Sequence, residues 1–148
     1  MKVSLQETVG RNYADFWNTR KRYRVCKGSR GSKKSKTTAL NMIHRLFQYP
    51  ESNGLCVRRY SNTLRDSVFS DLKWAIHRLG LDGYFDCTVS PMQIIRRSTG
   101  QKILFRGLDD GLKITSISVD YGVLCFVWIE EAYEITNEDD FNKLDMSI

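Results

Sequence analysis

Several features that mark other classes of protein are missing from this 148-residue chain. No apolar run approaches the roughly 20 residues that a membrane-spanning helix needs. The N-terminus Met-Lys-Val-Ser-Leu-Gln-Glu is too polar for a signal peptide. There is also no internal repeat, low-complexity tract or linker. We therefore expect a soluble, intracellular protein with no membrane partner.

Closely spaced cysteines are missing too, and histidine is scarce. The four cysteines are far apart, and each lies in an apolar run: Cys26, Cys56, Cys87 and Cys125. This pattern predicts buried thiols in a reducing compartment. Without a C-x-x-C pair, and with only His44 and His77 to join the cysteines, a zinc site is not expected. Both histidines lie on predicted helices, where we interpret them as surface or packing residues.

Charge and apolar residues are present in quantity, and the charge is divided unevenly. With 41% hydrophobic residues, the chain can bury the core of one domain. Residues 1–60 carry 14 Lys or Arg against 3 acids, whereas residues 61–148 carry 9 against 14. The basic half would attract polyanions such as nucleotide phosphates or nucleic acid. The alternative is an ordinary solvated basic surface.

A glycine-rich basic loop, Gly28-Ser-Arg-Gly-Ser-Lys-Lys-Ser35, lies between a predicted strand and a predicted helix. It follows the phosphate-loop pattern G-x-x-x-x-G-K-[ST], except that Lys33 replaces the last glycine. In such loops backbone N–H groups and a helix N-terminus face the phosphates. Here Lys34 would contact the β- and γ-phosphates, and Ser35 would hold magnesium. The alternative is a basic loop that opens an ordinary helix.

Strands alternate with helices along the chain, which predicts an α/β fold with a mainly parallel sheet. Apolar residues alternate on both sides of Ser-Thr-Gly at 98–100, so we predict a hairpin there, inserted at the edge of the sheet. Residues 1–22 are predicted to form a short basic helix. The predicted strands are 23–27, 55–58, 85–89 and 123–129, and the predicted helices are 37–47, 61–79 and 136–146.

Two acids follow the most apolar of these strands. Glu130 and Glu131 come directly after Val123–Ile129, at the carboxyl end of a strand predicted to be covered on both faces. A magnesium-nucleotide site needs one carboxylate near the metal and one group that orients water. Glu130 fits the first requirement and Glu131 the second. The alternative is an acidic helix N-terminus, which the helix dipole favours.

Four ordered blocks resemble the ATPase domain of tailed-bacteriophage terminase large subunits. They are Lys27 to Ser35, Val57 to Val68, Phe105 to Asp110 and Val127 to Ala132, and together they extend the resemblance over about residues 11–148. The resemblance implies an incomplete P-loop ATPase of the additional-strand, RecA-like type with three αβα layers. It also implies ATP and magnesium (Mg2+) as ligands.

The resemblance assigns roles to individual residues. Glu131 looks like the catalytic glutamate, Glu130 like the Walker B acid, Arg30 like the loop arginine, and Lys34 and Ser35 like the phosphate and metal ligands. The nucleotide-binding set is Gly28, Ser29, Arg30, Gly31, Ser32, Lys33, Lys34, Ser35 and Lys36. The departure at Lys33 bears on nucleotide affinity.

The resemblance also implies a biological setting. Such proteins are ATP-driven motors that move double-stranded DNA into a procapsid, as a ring docked on the portal protein with a small terminase subunit. We expect location in the host cytoplasm, a helical segment at 1–22 and part of the ATPase domain at 23–148. The later ATPase strands and a nuclease domain would be absent, so the chain alone would have little or no activity.

Other interpretations stay open at this point. The chain could be another RecA-like ATPase or helicase fragment, or a non-catalytic basic module that binds nucleic acid. Arg58, Arg59 and Lys113 could contact DNA or a neighbouring subunit, or be solvated. Asp109-Asp110 could be only a turn. An aromatic trio near the N-terminus could stack on adenine, although core packing is the default: Tyr13, Phe16 and Trp17.

Overall fold

Helices of very different lengths are present in a computed structural model that describes residues 4–109 and 117–146. The long helix after the glycine-rich loop begins three residues earlier than predicted, so Lys34 and Ser35 belong to its first turn. The α-helices are α1 (Leu5–Val9), α2 (Ala14–Asn18), α3 (Lys34–Gln48), α4 (Ser70–Arg78) and α5 (Glu138–Met146). None of the helices in these two ranges is long and apolar enough to cross a membrane.

Five strands form one mixed sheet in the order β2-β3-β4-β1-β5. β1 pairs in parallel with both β4 and β5, whereas β2–β3 and β3–β4 are antiparallel. The parallel strands therefore end together at one edge of the sheet, where the candidate residues lie. The strands are β1 (Ser52–Arg58), β2 (Phe85–Val89), β3 (Met92–Arg96), β4 (Lys102–Gly107) and β5 (Val123–Ile129).

Apolar residues pack on both faces of the sheet because side chains alternate along β1. Cys56 points into the larger core cluster, together with residues of α3 and α4. Leu55 and Val57 point to the other face, where they pack with Leu104 of β4 and Leu144 of α5. The sheet is thus covered by α3 and α4 on one side and by α5 on the other.

Three expectations about the sheet were wrong. Residues 23–27 form no strand, and Val25 is 91% exposed, because no described strand pairs alongside it. The sheet is mixed rather than mainly parallel. The antiparallel pair around residues 98–100 is present, but its second strand, β4, pairs with β1 inside the sheet. It is therefore not an insertion at the edge.

Other elements differ from prediction in detail. The apolar spacing of residues 61–79 predicts one helix, but the segment passes through a 3-10 turn and a π-helical turn (Arg65–Phe69) before α4. The N-terminal segment contains two short helices instead of one. β5 has the predicted bounds, yet Val123 is 60% exposed, so this strand is not covered along its whole length.

The cysteines are free thiols, and only part of the prediction about them is correct. Cys56 is buried and Cys26 is half-buried, but Cys87 and Cys125 are exposed. Both exposed thiols lie on the outer strands, β2 and β5. The apolar runs around Cys87 and Cys125 thus predicted strands β2 and β5 correctly, but they did not predict that the two thiols are exposed.

Candidate functional site

The glycine-rich loop enters α3 through a left-handed backbone conformation at Lys33. Its φ is 63° and its ψ is 16°, and it is the N-cap residue of the helix. This is the position at which the phosphate-loop pattern has glycine, which adopts such angles without steric cost. A lysine there costs about 1 kcal/mol. The departure from the pattern therefore changes the energy of the loop and leaves its backbone path in place.

The N-terminal segment supports this loop. Lys33 Nζ donates to the carbonyl of Thr8, at the end of α1, at 3.0 Å. The Tyr13 hydroxyl donates to the carbonyl of Ser32. Tyr13 also packs against the larger core cluster, as does Trp17, which agrees with the packing interpretation of these aromatic residues. Lys33 thus points toward the N-terminal helices.

Two glycines of the loop, Gly28 and Gly31, have no side chain for different structural reasons. Gly31 has a φ of 82°, where other residues are strained. Gly28 has no positive φ, but a Cβ there would lie 2.8 Å from Ser32 Oγ. A side chain at position 28 would therefore displace the side chain of Ser32. Ser32 Oγ itself is buried and has no hydrogen-bond partner among the described residues.

The first turn of α3 presents unpaired backbone donors. The first amide with a partner inside the turn is that of Thr37, which donates to the carbonyl of Lys33 at 2.9 Å. The amides of residues 34–36 precede it and lack intrahelical partners, as at every helix start. These N–H groups and the positive end of the helix dipole favour an anion. The side chains of Arg30 and Lys34 make no hydrogen bond or ion pair within the described ranges, so both cations remain available.

The Glu130 carboxylate joins the end of β5 to this turn. Ser35 Oγ donates to Glu130 Oε1 at 2.9 Å. The indole Nε1 of Trp128 donates to the other oxygen, Oε2, also at 2.9 Å. Trp128 lies near the end of β5 and Glu130 directly follows the strand, two residues on, so their side chains point to the same side. Both oxygens of the carboxylate are thereby oriented.

The environment of Glu130 is unfavourable for its charge. Burial raises the pKa of Glu130, and the nearby charges of Glu131 and Asp71 raise it further. The hydrogen bonds from Ser35 and Trp128 oppose this rise because they stabilise the ionised form. The carboxylate is therefore held at an energetic cost that a nearby cation would relieve.

Glu131 differs from its neighbour in both backbone and contacts. Its φ of 52° and ψ of 50° place it in the left-handed region, which is rare for a residue other than glycine. Lys33 and Glu131 are the two described non-glycine residues with positive φ; Lys33 is two residues before Ser35, and Glu131 directly follows Glu130. Backbone strain of this kind often accumulates at functional sites.

Three candidate cations have partners elsewhere. Lys36 Nζ forms an ion pair with Asp71 at 2.7 Å and lies 4.4 Å from the ring centre of Trp74, so it faces α4. Arg58 and Arg59 both bind Glu134, in the segment that follows Glu131. Lys113 and Asp110, which were also candidates, lie outside the described residues.

Asp109 has a definite role in the packing of the strand ends. Its carboxylate accepts hydrogen bonds from the backbone N and the Oγ of Ser61, at 3.2 Å each. It therefore joins the turn after β4 to the turn after β1. The two histidines remain interpreted as surface or packing residues, with His44 stacked on Trp17 at 5.4 Å between ring centres and His77 exposed beside Asp82.

Sequence reasoning missed several residues around the site. Trp128 could have been found from its spacing, since it lies on β5 two positions before Glu130, which directly follows the strand. Asp71 and Glu134 carry no comparable signal, because their proximity to the site depends on tertiary packing. Among residues 4–109 and 117–146, no group of three or more His, Cys, Asp or Glu could hold a metal ion.

Comparison with known proteins identifies the class of protein that this arrangement represents. The family model described as phage terminase large subunit matches residues 20–148, and the chain belongs to that family. The resemblance carried by the four sequence blocks is thereby confirmed.

Two curated relatives support the same assignment. The chain is 34% identical over 151 residues to the terminase large subunit of Bacillus phage SPP1, covering 99% of this chain and 36% of that protein. It is 30% identical over 131 residues to the PBSX phage terminase large subunit of Bacillus subtilis strain 168, covering 88% of this chain and 29% of the relative. The chain thus spans about a third of the length of these relatives.

Proposed function

We propose that this chain forms the ATP site of a DNA-packaging motor and that its α/β unit is a P-loop ATPase of the additional-strand type. The observation that carries the proposal is the 2.9 Å hydrogen bond from Ser35 Oγ to Glu130 Oε1. It joins the hydroxyl at a helix N-terminus to an acid at the end of a neighbouring strand. In a magnesium-nucleotide site of this type, such a hydroxyl and such an acid lie together around the metal ion.

The loop side would bind the phosphates. Unpaired amides at the start of α3 supply directed N–H groups, and the Lys34 ammonium supplies charge next to them. Arg30 would offset the charge that develops as the γ-phosphoryl group departs. The other nucleotide contacts proposed from the sequence lie between Gly28 and Lys36; of these, Lys36 would first have to leave Asp71.

The two oxygen donors at the centre of the site fit magnesium. Mg2+ prefers hard oxygen ligands and is commonly bound through one or two protein groups, the rest of its shell being water and substrate phosphates. Ser35 Oγ and the Glu130 carboxylate match that donor set, and because burial raises the pKa of Glu130, a cation beside it would stabilise the ionised form. When bound, the ion would neutralise phosphate charge.

Glu131 would position the water that attacks the γ-phosphate in line. Its carboxylate forms no ion pair within the described ranges, so it is free to accept a hydrogen bond from water. In the intact protein, hydrolysis would drive double-stranded DNA into a procapsid, in a ring with the portal protein and a small terminase subunit. We place this work in the host cytoplasm, with residues 1–22 as an N-terminal segment and 23–148 as part of the ATPase domain.

Nucleotide titration tests the proposal. Magnesium-ATP should bind the chain, and Lys34→Ala should weaken that binding by about 100-fold, because a charged hydrogen bond to phosphate is lost. Lys73→Ala, an exposed lysine on α4, is the matched control and should bind as well as the native chain. If the native chain does not bind magnesium-ATP, or if both variants bind alike, the proposal fails.

A further inference from the structure

The turn after β5 determines where the Glu131 carboxylate can act. The chain leaves the left-handed residue Glu131 through a 3-10 turn, Ala132–Glu134, in which the amide of Glu134 donates to the carbonyl of Glu131 at 2.8 Å. The next amide, that of Ile135, donates to the carbonyl of Ala132 at 3.1 Å. Since the Glu131 carboxylate forms no ion pair to a described residue, its position depends on this turn.

Two arginines at the end of β1 hold the turn. The guanidinium of Arg58 faces both carboxylate oxygens of Glu134, with its Nη2 3.3 Å from Oε1 and its Nε 3.4 Å from Oε2. The side chains of this pair are only 19% and 20% exposed. Arg59 donates to the backbone carbonyl of Glu134 at 2.7 Å and to Thr136 Oγ1 at 3.3 Å. Glu134 is thus bound through both its side chain and its backbone.

The arginines are themselves fixed by the neighbouring strand. The amide of Leu108 donates to the carbonyl of Arg58, and that of Asp109 to the carbonyl of Arg59, both at 3.0 Å. Gly107 lets the end of β4 lie close to the segment that follows Arg59, since a Cβ at position 107 would lie 2.5 Å from the backbone N of Ser61. The contacts therefore run from the end of β4, through the two arginines, to the turn that carries Glu131.

We propose that Arg58 and Arg59 are positioning residues for Glu131, which they serve within the same chain by fixing Glu134. The proposal rests on the proposed ATP site. From sequence, the two arginines could equally have contacted DNA, a neighbouring subunit or nucleotide. The proposal instead gives them a role in the packing of the turn. Neither arginine would touch the substrate; each would act through the backbone of residues 131–134.

Amide hydrogen exchange tests the structural part of the proposal. In Arg59→Gln, exchange at the amides of Glu134 and Ile135 should accelerate by about tenfold or more, because local opening of the turn becomes easier. Arg97→Gln removes an arginine that pairs with Asp86 at the far edge of the sheet, and it should leave these two amides unchanged. Equal exchange in the native chain and Arg59→Gln would overturn the proposal.

A charge exchange tests the Arg58–Glu134 pair separately. Arg58→Glu and Glu134→Arg should each accelerate exchange in the turn, and the double variant should restore at least part of the protection. If the double variant is no more protected than the single variants, the pair does not hold the turn. Thermal melting, monitored by circular dichroism, identifies variants that fail to fold; for those, the conservative Arg58→Lys supplies the comparison.

Single-turnover hydrolysis separates positioning from substrate contact. In the intact protein, Arg58→Gln and Arg59→Gln should leave magnesium-ATP binding within about twofold of the native value but slow its hydrolysis at least about tenfold. A loss of binding as large as the loss of rate would show that the arginines contact nucleotide, and the positioning role would be wrong. If the native chain binds no magnesium-ATP, the proposed function fails, whereas the exchange measurements still decide whether the arginines fix the turn.

Discussion

On the loop side of the Ser35–Glu130 hydrogen bond, the cations Arg30 and Lys34 form no ion pair with a described residue. On the strand side, Glu130 is bound by two donors, and the turn beyond it is held by two arginines. The proposed phosphate contacts of the loop come mainly from its backbone, so its cations need no ion-pair partners. A carboxylate that must remain ionised while half-buried needs several partners, and those partners come from distant parts of the chain.

We expect the largest effect from a substitution of Glu131, on the strand side of the site. In the intact protein, Glu131→Gln should reduce single-turnover hydrolysis of ATP by about 10²- to 10⁴-fold, because an amide cannot accept a proton from water. Binding of magnesium-ATP should be retained, as the carboxylate forms no ion pair with the described residues. Glu138→Gln, in the first turn of α5, is the matched control. Unchanged hydrolysis in Glu131→Gln would remove this residue from the mechanism.

The next largest effect is expected at Gly107, at the end of β4, where the turns that support the strand side pack together. In Gly107→Ala the new Cβ would lie 2.5 Å from the backbone N of Ser61 and 2.0 Å from Asp109 Oδ1. We expect the free energy of unfolding in urea to fall by about 3 kcal/mol or more, because backbone atoms must move. Gly83→Ala, where a Cβ meets nothing within 4 Å, should change it by less than about 0.5 kcal/mol. Equal stability of the two variants would contradict the described packing of the turns.

The two sides also differ in how far they could be predicted from sequence. The loop was recognisable because its glycines, lysine and serine are contiguous and precede an amphipathic helix. Glu130 and Glu131 were recognisable because they follow an apolar strand. Their supports were not, since Arg58 and Glu134 are 76 positions apart and meet only when β1 and β5 pair.

The same physical limit applies to the fold. Periodicity located β1, β2, β5 and the long helix α3, but it could not show that β4 pairs in parallel with β1 while β3 runs against it. It also predicted a strand at 23–27 from apolar content alone. Strand formation needs a hydrogen-bonded neighbour, and among the described residues none lies beside this segment.

A smaller effect is expected where Trp128 supports Glu130. Trp128→Phe removes the indole donor to Glu130 Oε2, so the pKa of Glu130 should rise further above that of an ordinary glutamate. The low-pH limit of magnesium-dependent nucleotide binding should therefore move to higher pH. The lost hydrogen bond should also reduce stability by about 1–2 kcal/mol.

The sign of the stability change with pH follows from the same contact. Because the folded pKa of Glu130 is raised, its contribution to stability is present at low pH and is lost as pH rises through the folded value. Trp128→Phe should move that loss to higher pH, as measured by urea unfolding over a pH series. Trp17→Phe, which alters the stack on His44, should not move it. Identical pH dependence in both variants would show that Trp128 does not tune Glu130.

The smallest effect is expected at Lys33, where substitutions test whether this residue lowers the stability of the loop or its affinity for nucleotide. Lys33→Gly should relieve about 1 kcal/mol of backbone strain, while it loses the exposed hydrogen bond to the Thr8 carbonyl. Lys33→Ala loses the same bond and keeps the strain, so it should be less stable than Lys33→Gly by about 1 kcal/mol. Magnesium-ATP affinity should change by less than about threefold in Lys33→Gly, because the side chain points to the N-terminal segment. If the alanine variant equals or exceeds the glycine variant in stability, residue 33 does not have the left-handed conformation. A large gain in affinity with glycine would instead show that the lysine does weaken nucleotide binding.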